Sequence, residues 1–113
     1  PMSPGMRVEL DIFSGRPNPV WELDAQAAAP LAARLAGLSE HASRAVDLPD
    51  LGYRGFVFHS DACAGRACRG SVDLNGTTFR DPAFAIERLL VASLPDAWHD
   101  LRMLVERILL LDE

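Results

Sequence analysis

The dipeptide Asn75-Gly76 is the feature that most restricts how this chain folds, because it separates two short segments typical of β-strands. Asparagine and glycine both accept the positive φ angles of a type I′ turn, whose twist matches that of a β-hairpin. Such a turn also fixes the register of the segments beside it, residues 71–74 and 77–79. The sequence therefore predicts a tight antiparallel hairpin here, and a sheet to which it belongs.

Three further segments have the composition or alternation of half-buried strands. Residues 7–13 place Val8, Leu10 and Ile12 on one face and charged side chains on the other. Residues 20–23 resume this pattern, and residues 53–59 are rich in the aromatic and β-branched side chains that favour strands. We expect a sheet of about five strands.

The apolar spacing predicts a first helix over residues 25–38, with Asp24 as its N-cap. Its inward face consists of leucines three or four residues apart, namely Leu31, Leu35 and Leu38. Pro30 leaves two starting points open, because a proline inside a helix costs about 3 kcal/mol. The helix begins either at residue 25 or near Pro30.

Two more helices are predicted in the last third of the chain. Asp81 and Pro82 have the residue types of an N-cap and a first helical position, and Pro95 opens the final helix. The side chains expected to face inward on the two helices are Phe84, Ile86, Leu89, Leu90 and Ser93, and then Ala97, Leu101, Leu104, Val105 and Ile108. The predicted order is ββαβββαα. This is an α+β fold in which a small, mostly antiparallel sheet packs against two or three helices, in one domain over residues 1–113.

Charge and composition restrict the partners of the chain. A net charge of -5 at pH 7 disfavours nucleic acid, whose binders present clustered cationic surface. No stretch has the roughly 18 unbroken apolar residues of a membrane span, and residues 1–6 lack the pattern of a secretion signal. We expect a cytoplasmic protein that binds neither nucleic acid nor membrane, although a secreted protein freed of its signal would have the same composition. A homodimer is also open, because a domain of this size buries only roughly 60–70% of its unfolded surface.

A first candidate site combines imidazole, carboxylate and two thiols in one short stretch: His59, Asp61, Cys63 and Cys68. Thiolate and imidazole suit Zn²⁺ or copper, although the spacing C-x₄-C departs from the usual C-x₂-C and the fourth ligand would be Asp61, His41 or His99. Alternatively, residues 64–67 form a loop between paired strands, and Cys63 then faces Cys68 across it. The two cysteines would form a disulfide, an inert thiol pair or a redox pair.

A second candidate site lies in the loop that follows the first strand. Its prolines restrict the backbone, while Ser14, Arg16 and Asn18 offer hydrogen-bond donors and Trp21 offers an aromatic face. An arginine of this kind can grip a carboxylate or phosphate in bidentate fashion. The alternative is structural: the prolines form a hairpin corner, Asn18 bonds to nearby backbone and Trp21 belongs to the core.

The string Ser-Gly-Arg-Pro-Asn-Pro-Val-Trp at residues 14–21 resembles a motif of small uncharacterised bacterial proteins. Some of these proteins also have a segment similar to Leu-Gly-Tyr-Arg-Gly-Phe at residues 51–56. The resemblance covers about a third of the chain. It implies no activity, cofactor or catalytic residue.

These features favour a non-catalytic binding or accessory module that recognises a protein or peptide. The candidate surfaces are the loop at residues 16–21, an edge strand, and the end of the last helix, where three leucines follow Ile108. Such a module could serve as the recognition subunit of a peptide-modifying enzyme. The alternative is a thiol-based metal-binding or redox protein, and an enzyme is less favoured because the sequence has no recognised catalytic spacing.

Overall fold

The computed structural model describes residues 5–13, 15–38, 52–61 and 63–112, which form an α+β fold. Its strands are β1 (Met6–Leu10), β2 (Val20–Leu23), β3 (Phe56–His59), β4 (Ala64–Cys68), β5 (Ser71–Leu74) and β6 (Thr77–Arg80). Its α-helices are α1 (Ala25–Ala36), α2 (Ala85–Ala92) and α3 (His99–Asp112). Short 3₁₀ segments at Pro82–Phe84 and Asp96–Trp98 precede α2 and α3.

The described strands form one antiparallel sheet in the order β2-β1-β3-β4-β5-β6, so β2 and β6 are its edges. The predicted fold class is confirmed. The described sheet has one strand more than the five or so predicted. The predicted loop at residues 64–67 is wrong, because Ala64–Cys68 is strand β4, inserted between β3 and β5. The observed order is therefore ββαββββαα.

The hydrophobic core lies between one face of the sheet and the three helices. Val8, Leu10, Phe56 and Phe58 alternate with polar or partly exposed neighbours along β1 and β3, and all four are fully buried. The helices contribute Leu31, Ile86, Leu90, Val105 and Leu109 to the same cluster. The opposite face of the sheet has the charged side chains of the alternating pattern.

The predicted hairpin at Asn75-Gly76 is confirmed. The two residues have φ angles of 50° and 89° and join β5 directly to β6. Asn75 has a second role, because its side-chain Oδ1 accepts a hydrogen bond of 3.0 Å from the backbone N–H of Ala64. The turn thus also holds the first residue of β4.

The observed helix starts agree with the predicted ones only in part. Helix α1 begins at Ala25, the first of the two predicted starts, and the Asp24 carboxylate accepts a hydrogen bond of 2.7 Å from Ala27 N. Helix α2 begins later than predicted, since Ala83 and Phe84 have φ angles near 57° and interrupt it. The inward set predicted for the last helix is partly wrong, because Leu104 on α3 and Ala97 in the 3₁₀ segment before it are exposed.

Candidate functional site

Asn18 organises the loop between β1 and β2. Its Oδ1 accepts hydrogen bonds from the backbone N–H groups of Ile12 (3.1 Å) and Phe13 (2.7 Å). Its Nδ2 donates to Glu9 Oε2 (3.0 Å) and Asp11 Oδ1 (3.4 Å). An asparagine side chain offers two acceptor sites and two donors, so Asn18 is fully engaged within the protein. These are contacts of the kind that the structural interpretation predicted, and they leave no hydrogen-bonding group of Asn18 free for a partner. A role of Asn18 in binding a partner stays a prediction.

Trp21 belongs to the core and not to a binding face. It is 7% exposed, packs edge-to-face against Phe56 with ring centroids 6.2 Å apart, and donates from Nε1 to Ser93 Oγ at 3.0 Å. This is the position that the structural interpretation predicted, and it leaves little of the indole for contact with a partner. A role of Trp21 in binding a partner stays a prediction. Ser14, also predicted in this site, lies outside the described residues.

Arg16 keeps an exposed cation in this loop. Its guanidinium carbon lies 3.7 Å from the centre of the Phe13 ring, a cation-π contact that orients the side chain along the loop. Of the four predicted partner-binding residues, Arg16 is therefore the one whose described position leaves it accessible.

An ion-pair cluster beneath the loop was not predicted. Asp11 Oδ2 accepts a hydrogen bond of 2.7 Å from Arg66, and Arg54 Nε lies 3.9 Å from the same oxygen. Arg66 also donates to the Arg54 carbonyl at 2.8 Å. These residues come from three distant parts of the chain, and only the strand order β1-β3-β4 brings them together. The alternation of charge along residues 7–13 is the sequence signal for this polar face, but it does not specify the partners.

The four residues of the proposed metal or redox site do not converge. His59 ends β3 and is exposed, and Asp61 is exposed in the following turn. Cys63 precedes β4 and Cys68 ends it, which places them roughly 16 Å apart along an extended strand. A disulfide needs Cα atoms within roughly 7 Å. The predicted facing of the two cysteines is therefore wrong, and both are free thiols.

Cys63 lies in a small turn with Ser60. Ser60 Oγ accepts a hydrogen bond of 3.2 Å from Cys63 N and lies 3.6 Å from Cys63 Sγ, while Ser60 N donates to the Cys63 carbonyl at 2.8 Å. Among the residues that the structure describes, no group of three or more His, Cys, Asp or Glu side chains is placed to hold a metal ion. His41, one of the alternative fourth ligands, is not among them, and His99 begins α3.

The two thiols are expected to differ strongly in reactivity, which can be measured by alkylation with iodoacetamide at pH 8. Burial, and then the neighbouring Glu87, raise the pKa of Cys68 to about 11, so about one molecule in a thousand carries the thiolate at that pH. Cys63 is only half-buried. We expect Cys63 to be alkylated in the folded protein and Cys68 to be alkylated at a comparable rate only in urea.

The Cys63→Ser variant is the control for this prediction, because it retains only the slow thiol. Rapid alkylation of that variant under native conditions would contradict the assignment of Cys68 as buried and protonated.

A buried polar cluster around Glu87 was also missed. Glu87 is fully buried on α2; its Oε2 accepts a hydrogen bond from the Tyr53 hydroxyl, and its Oε1 accepts one of 2.7 Å from Gly70 N. Burial raises the pKa of Glu87 above its ordinary value of 4.5. Burial and the adjacent Glu87 together raise the pKa of Tyr53. The cluster connects α2 to the β4–β5 turn and to the segment before β3.

A sequence signal for this cluster exists. Glu87 stands three and four residues before Leu90 and Val91, so it shares the inward face of α2 with them. A carboxylate on an apolar helical face indicates a buried hydrogen-bonded group, although its partners depend on the tertiary fold. Asp81 nearby is also buried, and its Oδ2 accepts a hydrogen bond of 2.8 Å from Ile86 N.

Two grooves flank α1. One, of about 580 Å³, lies between α1 and the start of α2 and is lined by Pro30, Ala33, Arg34, Gly37, Leu38, Asp81, Pro82, Ala85 and Ile86. The other, of about 490 Å³, lies on the alanine-rich side of α1, and its walls include Met6, Ser60, Cys63 and Leu74. Asp81 and Pro82, which follow β6 directly along the chain, belong to the lining of the first groove.

The described part of the chain has no helix that combines the length and apolar character needed to cross a bilayer. Comparisons of the chain with protein-family models, with curated proteins and with solved structures give no match.

Proposed function

We propose that the protein is a non-catalytic module that binds an extended segment of a protein or peptide by adding it as a strand beside β6. The observation that carries the proposal is the sheet order, in which no described strand lies on the outer side of β6. An edge strand presents unpaired N–H and C=O groups that an extended peptide can bind.

The hairpin register identifies the main-chain groups that point outward. Residues Leu74 and Thr77 flank a two-residue turn and are therefore a hydrogen-bonded pair. Hydrogen-bonded and non-hydrogen-bonded pairs alternate along the ladder, so every second pair from Leu74–Thr77 is hydrogen-bonded. The hydrogen bond of 2.8 Å from Asp81 N to the Gly70 carbonyl lies at one of these positions. The N–H and C=O groups of Thr78 and Arg80 consequently point away from β5.

The two edges of the sheet differ in how open they are. Strand β2 follows Pro17 and Pro19 directly, and its outward residue Glu22 adds negative charge to an acidic chain. Prolines and charges are the usual means by which proteins protect a sheet edge from pairing. Strand β6 has no proline, and its outward positions are Thr78 and Arg80. The Arg80 cation attracts an acidic segment, whereas Glu22 repels one. These features favour β6.

The side chains around β6 indicate the chemistry of the segment. Arg80 is exposed at the end of the strand, so a carboxylate in the bound segment would be favoured beside it. The groove that begins at Asp81 and Pro82 offers an apolar wall for a side chain beyond the paired residues. We therefore infer an extended peptide with an acidic group, and a role as the recognition subunit of a peptide-modifying enzyme is consistent with such capture.

The proposal is tested by selecting binders from a random peptide library on the purified protein and mapping them by NMR. We expect the largest shifts at the amides of Thr78 and Arg80. Thr78→Pro removes an outward N–H without breaking the ladder to β5, and we expect it to weaken binding by about tenfold or more. Thr78→Val retains the N–H and should bind like the original protein.

Two results would overturn the proposal. One is a library that yields no binder. The other is a set of binders whose shifts map away from β6 and whose affinity is the same for a folded Thr78→Pro variant, with folding confirmed by the dispersion of the remaining amide signals.

A further inference from the structure

Helix α3 has an exposed stripe made of Met103, Glu106, Arg107 and Leu110. These positions follow the i, i+3, i+4, i+7 spacing that places side chains on one helical face. Met103 is 54% exposed and Leu110 is 68% exposed, and both charged residues between them are exposed as well. The buried residues of α3 lie on the opposite face. Single exposed apolar side chains are ordinary on a protein surface, so what distinguishes this stripe is their symmetrical placement on either side of Glu106 and Arg107.

The two charges at the centre of the stripe have no partners within the described residues. Neither Glu106 nor Arg107 makes a side-chain hydrogen bond or ion pair there. Adjacent residues on a helix do not face each other, so the two cannot neutralise each other within one helix. The stripe therefore presents an anion beside a cation, bounded at each end by an apolar side chain.

We propose that this stripe binds the same stripe of a second copy of the chain, with the two α3 helices antiparallel. A two-fold axis between positions 106 and 107 places Glu106 opposite Arg107 of the second copy, and the same pair forms again across the axis. It also places Met103 opposite Leu110 of the second copy at both ends. The stripe is thus complementary to itself in both charge and hydrophobicity.

The charges also determine the direction of the pairing. If the helices were parallel about a two-fold axis, Glu106 would face Glu106 and Arg107 would face Arg107. Like charges placed opposite each other oppose association, so this arrangement is disfavoured. Only the antiparallel arrangement pairs every charge with its opposite.

A groove beside the stripe supports the same arrangement. It has a volume of about 370 Å³ and is lined by Arg88, Val91, Glu106, Arg107, Leu109 and Leu110. In the antiparallel pair, Met103 of the second copy lies at this end, and its flexible side chain suits an irregular apolar wall. One helix face is a small interface, so we expect a dissociation constant in the micromolar range or weaker.

Sedimentation velocity of the full chain at about 10 µM to 1 mM tests the proposal over the range expected for a weak dimer. We expect a monomer-dimer equilibrium in the original protein. Glu106→Arg and Arg107→Glu should each raise the dimer dissociation constant by about tenfold, because each places two like charges opposite each other. The double variant E106R/R107E should restore dimerisation, since it exchanges the two charges.

The double variant distinguishes the loss of a dimer interface from a folding defect as the cause of weaker dimerisation. Restoration cannot come from within one helix, because positions 106 and 107 do not face each other. Glu22→Arg is the matched control: it reverses an exposed charge on β2, on the face of the sheet opposite to buried Trp21 and Leu23, and should leave the equilibrium unchanged. A protein that stays monomeric at the highest concentration would overturn the proposal, as would a dimer that none of the α3 substitutions weakens or a double variant that dimerises no better than the single ones.

Discussion

Replacement of Glu87 with alanine is expected to lower the free energy of unfolding by about 3 to 5 kcal/mol. The substitution removes the acceptor of the Tyr53 hydroxyl and of Gly70 N, and it leaves a cavity in a fully buried position. Each buried donor left without a partner costs about 1–3 kcal/mol. Because small domains are stable by only about 5–15 kcal/mol, a loss of this size is a large part of the total stability. Urea denaturation followed by circular dichroism measures the difference.

Two conservative variants separate the contributions to this effect. Tyr53→Phe removes one donor and keeps the bond from Gly70, so its cost should be about 1–2 kcal/mol. Glu87→Gln removes the charge and tests the pH dependence. Burial raises the pKa of Glu87 in the folded protein above the 4.5 of the unfolded chain. At a pH between these two pKa values, the folded protein therefore binds more protons than the unfolded chain. The free energy of unfolding should therefore fall as pH rises through that window, and less steeply in Glu87→Gln.

The role assigned to Glu87 would be refuted by an alanine variant as stable as the original protein. An unchanged pH slope in Glu87→Gln would refute the contribution of its ionisation. Burial also raises the pKa of Asp81, so Asp81 contributes a slope of the same sign that remains when Glu87 is replaced.

Trp21→Ala is expected to destabilise the protein by about 3–5 kcal/mol, as large-to-small substitutions in a core do. The indole is buried against Phe56 and its Nε1 donates to Ser93, so its removal takes away packing and a hydrogen bond together. If the indole were instead a contact for a partner, the variant would remain stable and lose only binding. Thermal unfolding by differential scanning calorimetry distinguishes the two.

The matched variants at this site are Trp21→Phe and Arg16→Ala. Phenylalanine retains most of the apolar contact with Phe56, and Ser93 still donates to the Leu90 carbonyl at 2.6 Å, so the cost should be about 1–2 kcal/mol. Arg16 is exposed, and its removal should change stability by less than about 0.5 kcal/mol. An unchanged unfolding temperature of the Trp21→Ala variant would contradict the assignment of the indole to the core.

The parts of the fold that could be predicted are those in which local chemistry determines local geometry. Asn75-Gly76 forms the turn that its positive φ angles allow, and Asp24 caps α1 as its side chain permits. Even Pro30 is accommodated, since the carbonyl that loses its helical donor belongs to Gln26, an exposed residue. In each case the decisive contact lies within a few residues of the group that makes it.

Strand β4 could not be predicted because contacts with the adjacent strands β3 and β5, and not local propensity, determine which residues it requires. A side chain at Gly65 would place Cβ 2.2 Å from the Asp73 carbonyl oxygen and 2.9 Å from the Phe58 ring, so glycine is required there although it disfavours strands. The turn that follows was missed as well. Arg69 and Gly70 have φ angles of 50° and 83°, as in a type I′ turn, but arginine gives no signal for that conformation.

Glu87 supplies part of what the Arg69-Gly70 turn lacks. Its carboxylate accepts the hydrogen bond from Gly70 N and thereby stabilises a turn that has no asparagine of its own.

The candidate site also divides into features that the sequence predicts and contacts that depend on the tertiary fold. The polar face and the exposed Arg16 follow from sequence patterns, whereas the ion pair between Asp11 and Arg66 requires knowledge of which strands are neighbours.

The strand order has a consequence for how the chain can fold. Strands β3 to β6 form a meander in which each strand pairs with the next along the chain, and β1 and β2 are joined by their own short loop. The pairing of β1 with β3 is the one junction that spans a long stretch of chain, including β2 and α1. Loop-closure entropy grows with that separation, so this junction is the costliest pairing to nucleate. The sheet therefore consists of two units with local pairing, the β1-β2 hairpin and the β3-β6 meander. The contacts of Asp11 with Arg66 and Arg54 connect these two units.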